Sequence, residues 1–406
     1  MSVDQPHSDG GGALKGLKVV DLSWYVAGPY CTKILAGLGA EVVKVERPGE
    51  GDPARRKGPF PDDVPHPERS GLFLFLNTGK KGITLNLKSA TGREVLKRLV
   101  AEADMVVESF APGVMDRLGL SYDQLVSINP RLVMTSISNF GQDGPNRDYE
   151  ATEIVFSAAS GIMYINGDQG REPLKGSGDY LQYQAGLHAV IGTLAALQAR
   201  RLMGEGQHVD VSIAETASHT LQFVVTWYTH FGAIQTRIGS RQPFGHPYTL
   251  LPCKDGYVAV THLPQWVDAL TLLTGREEFS DPRFQDPMAC IESADEIDQW
   301  LTEWLRERTA EEAVAEGQTL RICTDYVYTP AQMLEDPQYQ ARGYFVTLDH
   351  PEAGRQTYPG APFVLSGTPW RHARAPLLGE HNQEVYSERL GYSREELAHL
   401  RETGVI

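Results

Sequence analysis

Cysteine is scarce in this chain: Cys31, Cys253, Cys290 and Cys323 are the only four among 406 residues, and no two form a CxxC pair. The scatter excludes a disulfide framework and a zinc ribbon and fits a reducing cytoplasm. Each thiol reads as a small core residue. The 12 histidines show no HExxH or comparable spacing, so no metal is expected. No apolar run nears the ~20 residues that span a bilayer, which leaves no membrane partner. Positive charge is short as well: 37 Lys and Arg against 52 Asp and Glu give a net charge of -15. Nucleic acid is thereby an unsuitable partner, and any anionic ligand must be met by cations gathered locally. Three signatures of common chemistry are also missing. The turn Trp24-Tyr25-Val26-Ala27-Gly28-Pro29 lacks the GxGxxG of dinucleotide sites, and neither a GxxxxGK[ST] phosphate loop nor a GxSxG nucleophile elbow occurs.

What remains is the composition of a globular protein, with 41% apolar and 22% charged residues and length enough for two domains. Residues 1–13 are polar and glycine-rich and read as a disordered tail rather than a signal peptide. Leu17-Lys18-Val19-Val20-Asp21-Leu22 reads as a strand, a turn at Ala27-Gly28-Pro29 leads into a helix over 30–38, and Glu41-Val42-Val43-Lys44-Val45-Glu46 reads as the next strand. A strand–helix–strand unit of about 30 residues implies a parallel sheet. The pattern repeats with strands over 83–87, 105–108, 131–136 and 207–213, and helices over 90–103, 122–128 and 181–200. The expected architecture is α/β. A large domain with an open, mostly parallel sheet covers 14–220, and a linker follows over 221–245. A smaller α+β domain over 246–325 contains a hairpin at 251–260, and the segment 326–406 returns to the large domain.

Asp179 stands out. It follows Lys175-Gly176-Ser177-Gly178 and opens the 181–200 helix, whose Ala185, Gly186, Ala189, Gly192, Ala195, Ala196 and Ala199 suit a closely packed element. A carboxylate at the positive end of a helix is held ionised and aimed outward, and the glycines before it let a substrate carbonyl approach. The plain alternative is that Asp179 only caps the helix. His188 lies further along the same helix, more than ~10 Å from Asp179 at about 1.5 Å per residue, and reads as a packing or interface residue.

A series of short blocks follows one order along the chain. It comprises the 17–22 strand, Ala27-Gly28-Pro29, Gly39-Ala40-Glu41-Val42-Val43-Lys44-Val45-Glu46-Arg47-Pro48-Gly49 and Lys80-Lys81-Gly82-Ile83-Thr84-Leu85-Asn86-Leu87-Lys88. Val107-Glu108-Ser109-Phe110-Ala111-Pro112-Gly113, Gly178-Asp179, Thr193-Leu194-Ala195-Ala196-Leu197, Gly204-Glu205-Gly206-Gln207 and Ala375-Pro376-Leu377-Leu378-Gly379-Glu380-His381 complete it. In this order the blocks resemble the family III CoA-transferases, which include formyl-CoA, carnitine, bile-acid and benzylsuccinate CoA-transferases. The resemblance implies a Rossmann-like large domain, a small domain and an interlocked homodimer. It gives Asp179 the place of the family's nucleophile. It implies an acyl-CoA and a free carboxylic acid as substrates, coenzyme A being carried as substrate with no tightly bound cofactor. By match to the family's CoA-contacting positions, Arg47, Lys88 and Arg117 meet the phosphates, while Tyr25, Val26, Leu85, Ser109 and Phe110 line the adenine and pantetheine path. Phe140, Gly245 and His246 fall on the substrate side.

Alternatives stand beside these assignments. Taken alone, Arg47 and Lys88 read first as ordinary solvated charge after a strand. Lys80-Lys81 reads as a phosphate contact or a polar turn, and Arg55-Arg56-Lys57 as a solvated cluster. Ser138 stands where some formyl-CoA transferases carry a CoA-contacting lysine. Phe244-Gly245-His246-Pro247-Tyr248 replaces their glycine-rich lid and resembles the carnitine and bile-acid branch, which favours an acceptor larger than formate or oxalate. His246 reads as a substrate contact or a structural histidine. α-Methylacyl-CoA racemases resemble the same fold but need a histidine where this chain has Thr152, so Glu153 would have to serve instead. A non-catalytic acyl-CoA binding protein is the third reading.

Overall fold

Short apolar runs pair into one six-stranded sheet of order β3-β2-β1-β4-β5-β6. Its strands are β1 (Lys18–Asp21), β2 (Glu41–Glu46), β3 (Lys81–Thr84), β4 (Met105–Glu108), β5 (Val133–Ser138) and β6 (His208–Ser212), and every pairing is parallel. Parallel strands covered on both faces carry apolar side chains up and down, which is why they read as runs rather than alternations. Val20, Val43, Val45, Ile83, Val106 and Met134 face one core, while Val19, Val42, Met105, Val107, Val133 and Ile137 face another.

The helices α1 (Ala27–Gly37), α2 (Ala90–Ala101), α3 (Val114–Arg117), α4 (Tyr122–Val126) and α5 (Tyr180–Met203) lie between the strands in sequence. Helix α5 packs on α1 at Gly186, where a Cβ would stand 2.7 Å from the carbonyl oxygen of Ala27. Only glycine fits there; Ala185, Ala189 and Ala196 of α5 are buried in the same core, Gly192 faces Val209 of β6, and Ala195 is exposed. The first core is completed from the far end of the chain by Val385, Tyr386, Leu397, Leu400, Val405 and Ile406.

The computed structural model describes residues 12–221, 223–261 and 267–406. The chain divides into two compact units: Met1–Ile162 with Gly176–Gln222 and Ala341–Ile406, and Met163–Lys175 with Phe223–Gln340. The tail expected over 1–13 lies, up to residue 11, outside the described residues. The chain returns to the first unit at Ala341 instead of 326, and Met163–Lys175 joins the second unit. In that second unit the expected hairpin is β7 (Tyr248–Pro252) and β8 (Tyr257–Thr261), extended by β9 (Cys323–Tyr326) into a three-stranded antiparallel sheet. Phe279, Phe284, Ile297, Leu301 and Leu305 form its core. A further hairpin, β10 (Phe345–His350) and β11 (Gly354–Pro359), belongs to the first unit and was not anticipated. No helix among the described residues is long and apolar enough to cross a membrane.

Candidate active site

In an open parallel sheet the crevice for ligands lies at the carboxyl ends of the strands, near the point where strand order reverses. Here that point falls between β1 and β4, and a cavity of about 450 Å³ occupies it. The segments that follow β1, β2, β3 and β4 supply Trp24, Arg47, Leu85, Lys88 and Phe110 to its wall. Arg47 and Lys88 are both exposed and bring two cations to this wall, Arg47 lying 3.4 Å from Glu50 beside it. The Arg47 guanidinium lies 4.2 Å from the Trp24 ring centroid, and Trp24 meets Phe110 edge-on at 5.6 Å. This Arg–Trp–Phe clamp offers an aromatic face beside a positive charge, the combination that suits a purine nucleotide carrying phosphates.

Beneath the clamp is a layer of buried charge. Asp21 is fully buried at the end of β1 and accepts from Ser23 N at 3.0 Å, Thr32 Oγ1 at 2.6 Å and Lys80 Nζ at 3.0 Å. Burial works against its charge, but Lys80 and Lys44 outweigh burial and hold the carboxyl below its ordinary range. Lys44 Nζ reaches Asp52 Oδ2 and the Ser23 carbonyl, each at 2.8 Å. Asp52 Oδ1 accepts the Tyr25 N–H at 3.2 Å. Tyr25 has φ 62, in the left-handed region that is uncommon for a residue with a side chain, and this hydrogen bond helps hold it there. Arg55 grips Glu46 from the other side, with Nε to Oε2 at 2.7 Å and an η-nitrogen to Oε1 at 2.8 Å, and reaches Glu68 at 2.6 Å. The network therefore fixes the loops after β1 and β2, and with them Trp24 and Arg47.

These contacts correct two expectations. Lys80 is neither a phosphate contact nor part of a solvated turn; it is 3% exposed and committed to Asp21, Asn77 and the Pro29 carbonyl. Arg55 is fully buried, so only Arg56 and Lys57 remain of the solvated cluster. Of the residues expected on the CoA path, the cavity brings together Arg47, Leu85, Lys88 and Phe110. The others stand elsewhere. Val26 is 2% exposed at the head of α1, and Ser109 Oγ accepts the Trp24 N–H at 2.9 Å. Arg117 is exposed at the end of α3, with its guanidinium beside Gly113. Sequence reasoning overlooked Trp24, although a tryptophan in the turn after the first strand was signal enough.

Asp179 occupies the N-cap position of α5, yet its side chain makes no capping hydrogen bond. Glu153 Oε1 instead accepts the Leu181 N–H at 2.7 Å and serves the first turn in its place. Gly178, with φ +59, takes a conformation that favours glycine and turns the chain into the helix. One turn along, Tyr183 packs edge-on against Tyr30 at 4.8 Å, and Phe75 joins them. Burial, and then the nearby charge of Asp179, push the Tyr183 hydroxyl up to about 12. Phe140 packs against Tyr149 and Phe156.

Gly245 and His246 belong to the second unit. A Cβ at Gly245 would meet nothing within 4 Å. His246 is 2% exposed and its Nε2 lies 2.8 Å from Asp298 Oδ1.

The six-stranded order with a ligand crevice at its switch point defines a Rossmann-like α/β protein. The chain belongs to CoA-transferase family III, whose family model matches residues 14–382, and its activity is that class of enzyme's. It is 35% identical to a formyl-CoA:oxalate CoA-transferase of Streptomyces avermitilis, over 97% of this chain and 99% of the relative. A succinyl-CoA–D-citramalate CoA-transferase of Chloroflexus aurantiacus is 33% identical over 97% of this chain and 98% of its own. Among solved structures, a CaiB/BaiF family protein from Brucella suis superposes with a TM-score of 0.83 at 32% identity, covering 93% of this chain and 99% of that one.

Proposed function

We propose that the protein moves CoA from an acyl-CoA to a free carboxylic acid larger than formate or oxalate, with Asp179 as nucleophile. The observation that carries this reading is the division of labour at the head of α5: Glu153 accepts the helix N–H, and the Asp179 carboxylate is left out of the cap. An Asp in the N-cap place normally gives its oxygens to the backbone. Its withdrawal supports a chemical role over the purely structural one.

The steps balance without an outside oxidant or proton source. An Asp179 oxygen attacks the thioester carbonyl, the C–S bond breaks, and CoA leaves as thiolate from an acyl-aspartyl anhydride. The thiolate attacks the aspartyl carbonyl, the anhydride C–O bond breaks, and the donor acid leaves as carboxylate. The acceptor carboxylate then attacks the aspartyl-CoA thioester, and the same two steps run in reverse. Dividing one displacement into covalent stages lowers each barrier. An aspartate suits the role because it is ionised well below neutral pH, at about 3.9 when unperturbed. The CoA moiety is taken to lie in the cavity under Trp24 and Phe110, its phosphates met by Arg47 and Lys88 with Arg117 nearby, and Tyr25, Val26 and Ser109 shaping the approach to Asp179.

The aromatic group of Tyr30, Phe75 and Tyr183 beside Asp179 supports an acyl group with apolar or aryl character. Relatives named for oxalate and for D-citramalate are similarly distant, so their names do not choose an acceptor. In this reading the working form is a cytoplasmic homodimer. The racemase alternative loses ground because Glu153, its one candidate acid, is 7% exposed and engaged at the helix start.

The test is intact-protein mass spectrometry after incubation with a panel of acyl-CoAs, comparing wild type with Asp179→Ala, followed by hydroxylamine. A CoA or acyl adduct on wild type that is missing from the variant is the expected result. An adduct that persists on Asp179→Ala, or deuterium exchange at the α-carbon without any adduct, overturns the reading.

A further inference from the structure

The turn that carries Phe110 has a second cavity on its other side. It measures about 250 Å³ and is polar, whereas the one holding Arg47 and Lys88 is lined largely by apolar groups. Ala111 belongs to both walls, so the 110–113 turn and α3 form the partition between them. Glu108 ends β4 at this partition, 3% exposed. Its Oε2 accepts the backbone N–H of Phe110 at 2.7 Å. It also takes a hydrogen bond from Ser136 on β5, whose oxygen lies 2.8 Å from His208 Nε2 on β6. With the Ser136 proton directed at Glu108, the His208 ring must donate from Nε2. Tyr122 of α4 stacks on that ring at 5.4 Å.

A carboxylate this deeply buried at the end of a strand needs a reason to be there, because an apolar residue would be cheaper to bury. Its one backbone partner, Phe110, is half of the clamp that faces the Trp24 ring. The next residue, Ser109, holds the Trp24 N–H at 2.9 Å. Both halves of the clamp are thus tied to the same two-residue stretch. We propose that Glu108 is a positioning residue of the CoA site, one that fixes Phe110 against Trp24 and strengthens acyl-CoA binding when it is ionised.

The ionised carboxylate is the better acceptor for an N–H, and that bond is about twice as strong as its neutral counterpart. Burial raises the Glu108 carboxyl to about 7, against the hydrogen bonds from Ser136 and Phe110, and the negative charges of Asp210 and Asp116 push in the same direction as burial. The other charged or titratable groups around the small cavity are Asp123 and Tyr122 of α4, His208 of β6, and Arg147 after β5. Solvent reaching this cavity lets Glu108 exchange its proton while the CoA cavity is filled. Affinity for acyl-CoA is therefore expected to rise as pH passes upward through neutrality. The inference rests on the CoA site being the cavity under Trp24.

The test measures kcat and KM for acyl-CoA from pH 6 to 8.5 in wild type, Glu108→Ala, Glu108→Gln and Arg47→Ala, with thermal melts to confirm folding. Glu108→Ala is expected to raise KM about tenfold at pH 8, the size of one charge-assisted hydrogen bond, with kcat moved far less. Glu108→Gln, which keeps an acceptor oxygen and the side-chain volume, is expected to hold a KM near the wild-type value at pH 6 and to lose the fall in KM toward pH 8. A folded Glu108→Ala with wild-type KM overturns the proposal, as does a Glu108→Gln that keeps the wild-type pH profile. If Glu108→Ala does not fold, Glu108→Gln alone decides. An Arg47→Ala enzyme with unchanged KM would instead overturn the CoA site, and this proposal with it, whereas a raised KM there beside silent Glu108 variants overturns only the proposal.

Discussion

Arg55 is the sharpest point at which structure and composition part. It sits in Arg55-Arg56-Lys57, a string that reads as surface charge, and yet its side chain has no exposure at all. Both oxygens of Glu46 are held by its guanidinium, Glu68 takes a third nitrogen, and the Phe73 ring lies 3.6 Å from its central carbon. Truncation to alanine leaves the Glu46 carboxylate, also without exposure, stripped of its ion-pair partner. Breaking a buried pair from one side costs roughly 3–5 kcal/mol. For a domain of this order each kcal/mol moves the melting point by about 2–4 °C, so Arg55→Ala should melt on the order of 10 °C lower. Arg56, exposed and, among the described residues, bonded through one nitrogen to the Glu50 carbonyl at 2.9 Å, is the neighbouring control, and Arg56→Ala should stay within about 0.5 kcal/mol. Arg55→Lys keeps the charge but loses the planar fork, so it should fall between. Differential scanning calorimetry of the full chain reads all three. If Arg55→Ala and Arg56→Ala melt together, the buried layer beneath the cavity lined by Trp24 and Arg47 is not what holds the loops after β1 and β2.

Two other perturbations follow from buried polar groups. Lys33 of α1 lies with Nζ 3.3 Å from the Phe75 ring centroid, and burial first, then repulsion from Lys80, lowers its pKa from 10.5 to about 7. The unfolded chain therefore binds the proton more readily across that window, so wild-type stability should rise between pH 7 and 10 by up to about 1.4 kcal/mol per unit relative to Lys33→Met, as urea unfolding at both pH values would show; parallel pH curves for the two proteins would refute it. Tyr386, fully buried, donates its hydroxyl to the Thr84 carbonyl at 2.6 Å, and Tyr386→Phe should lose about 1–1.5 kcal/mol in the same assay, whereas no loss would mean that the contact adds nothing to stability.

The central sheet was legible because its strands are buried on both faces. Val42, Val43 and Val45 of β2 and Met105, Val106 and Val107 of β4 make largely apolar stretches, and the strands Glu41–Glu46 and Met105–Glu108 fall where those stretches place them. Strand ends were less readable where polar residues take part in the ladder: β5 continues through Ser136 to Ser138, because Ser136 and Ser138 pair with Asp210 and Ser212 of β6. The clamp was half legible. Arg47, Lys88 and Phe110 could be placed from local blocks, but a lysine's burial depends on what the fold brings to it, and the Lys80 partner Asp21 lies 59 positions away. The same holds for Tyr386, whose partner Thr84 lies 302 positions away, and for the β10–β11 hairpin, whose second strand carries Tyr358 behind Gly354, Arg355, Gln356 and Thr357 and gives no period to read.

The rim of the cavity lined by Arg47 and Lys88 is joined by residues far apart in the chain. Asn86 donates its N–H to the Val405 carbonyl at 2.8 Å, Gly404 lines the cavity, and Thr84 N–H and Gly82 N–H are taken by the side chains of Asn382 and His381. During synthesis, β3 and the loop after it therefore wait for residues made some 300 positions later before these backbone groups find their partners. Contacts of such separation form slowly and leave unpaired edges exposed meanwhile. A nascent chain can assemble much of the sheet early, but this cavity rim cannot close until residues 381–405 have been made.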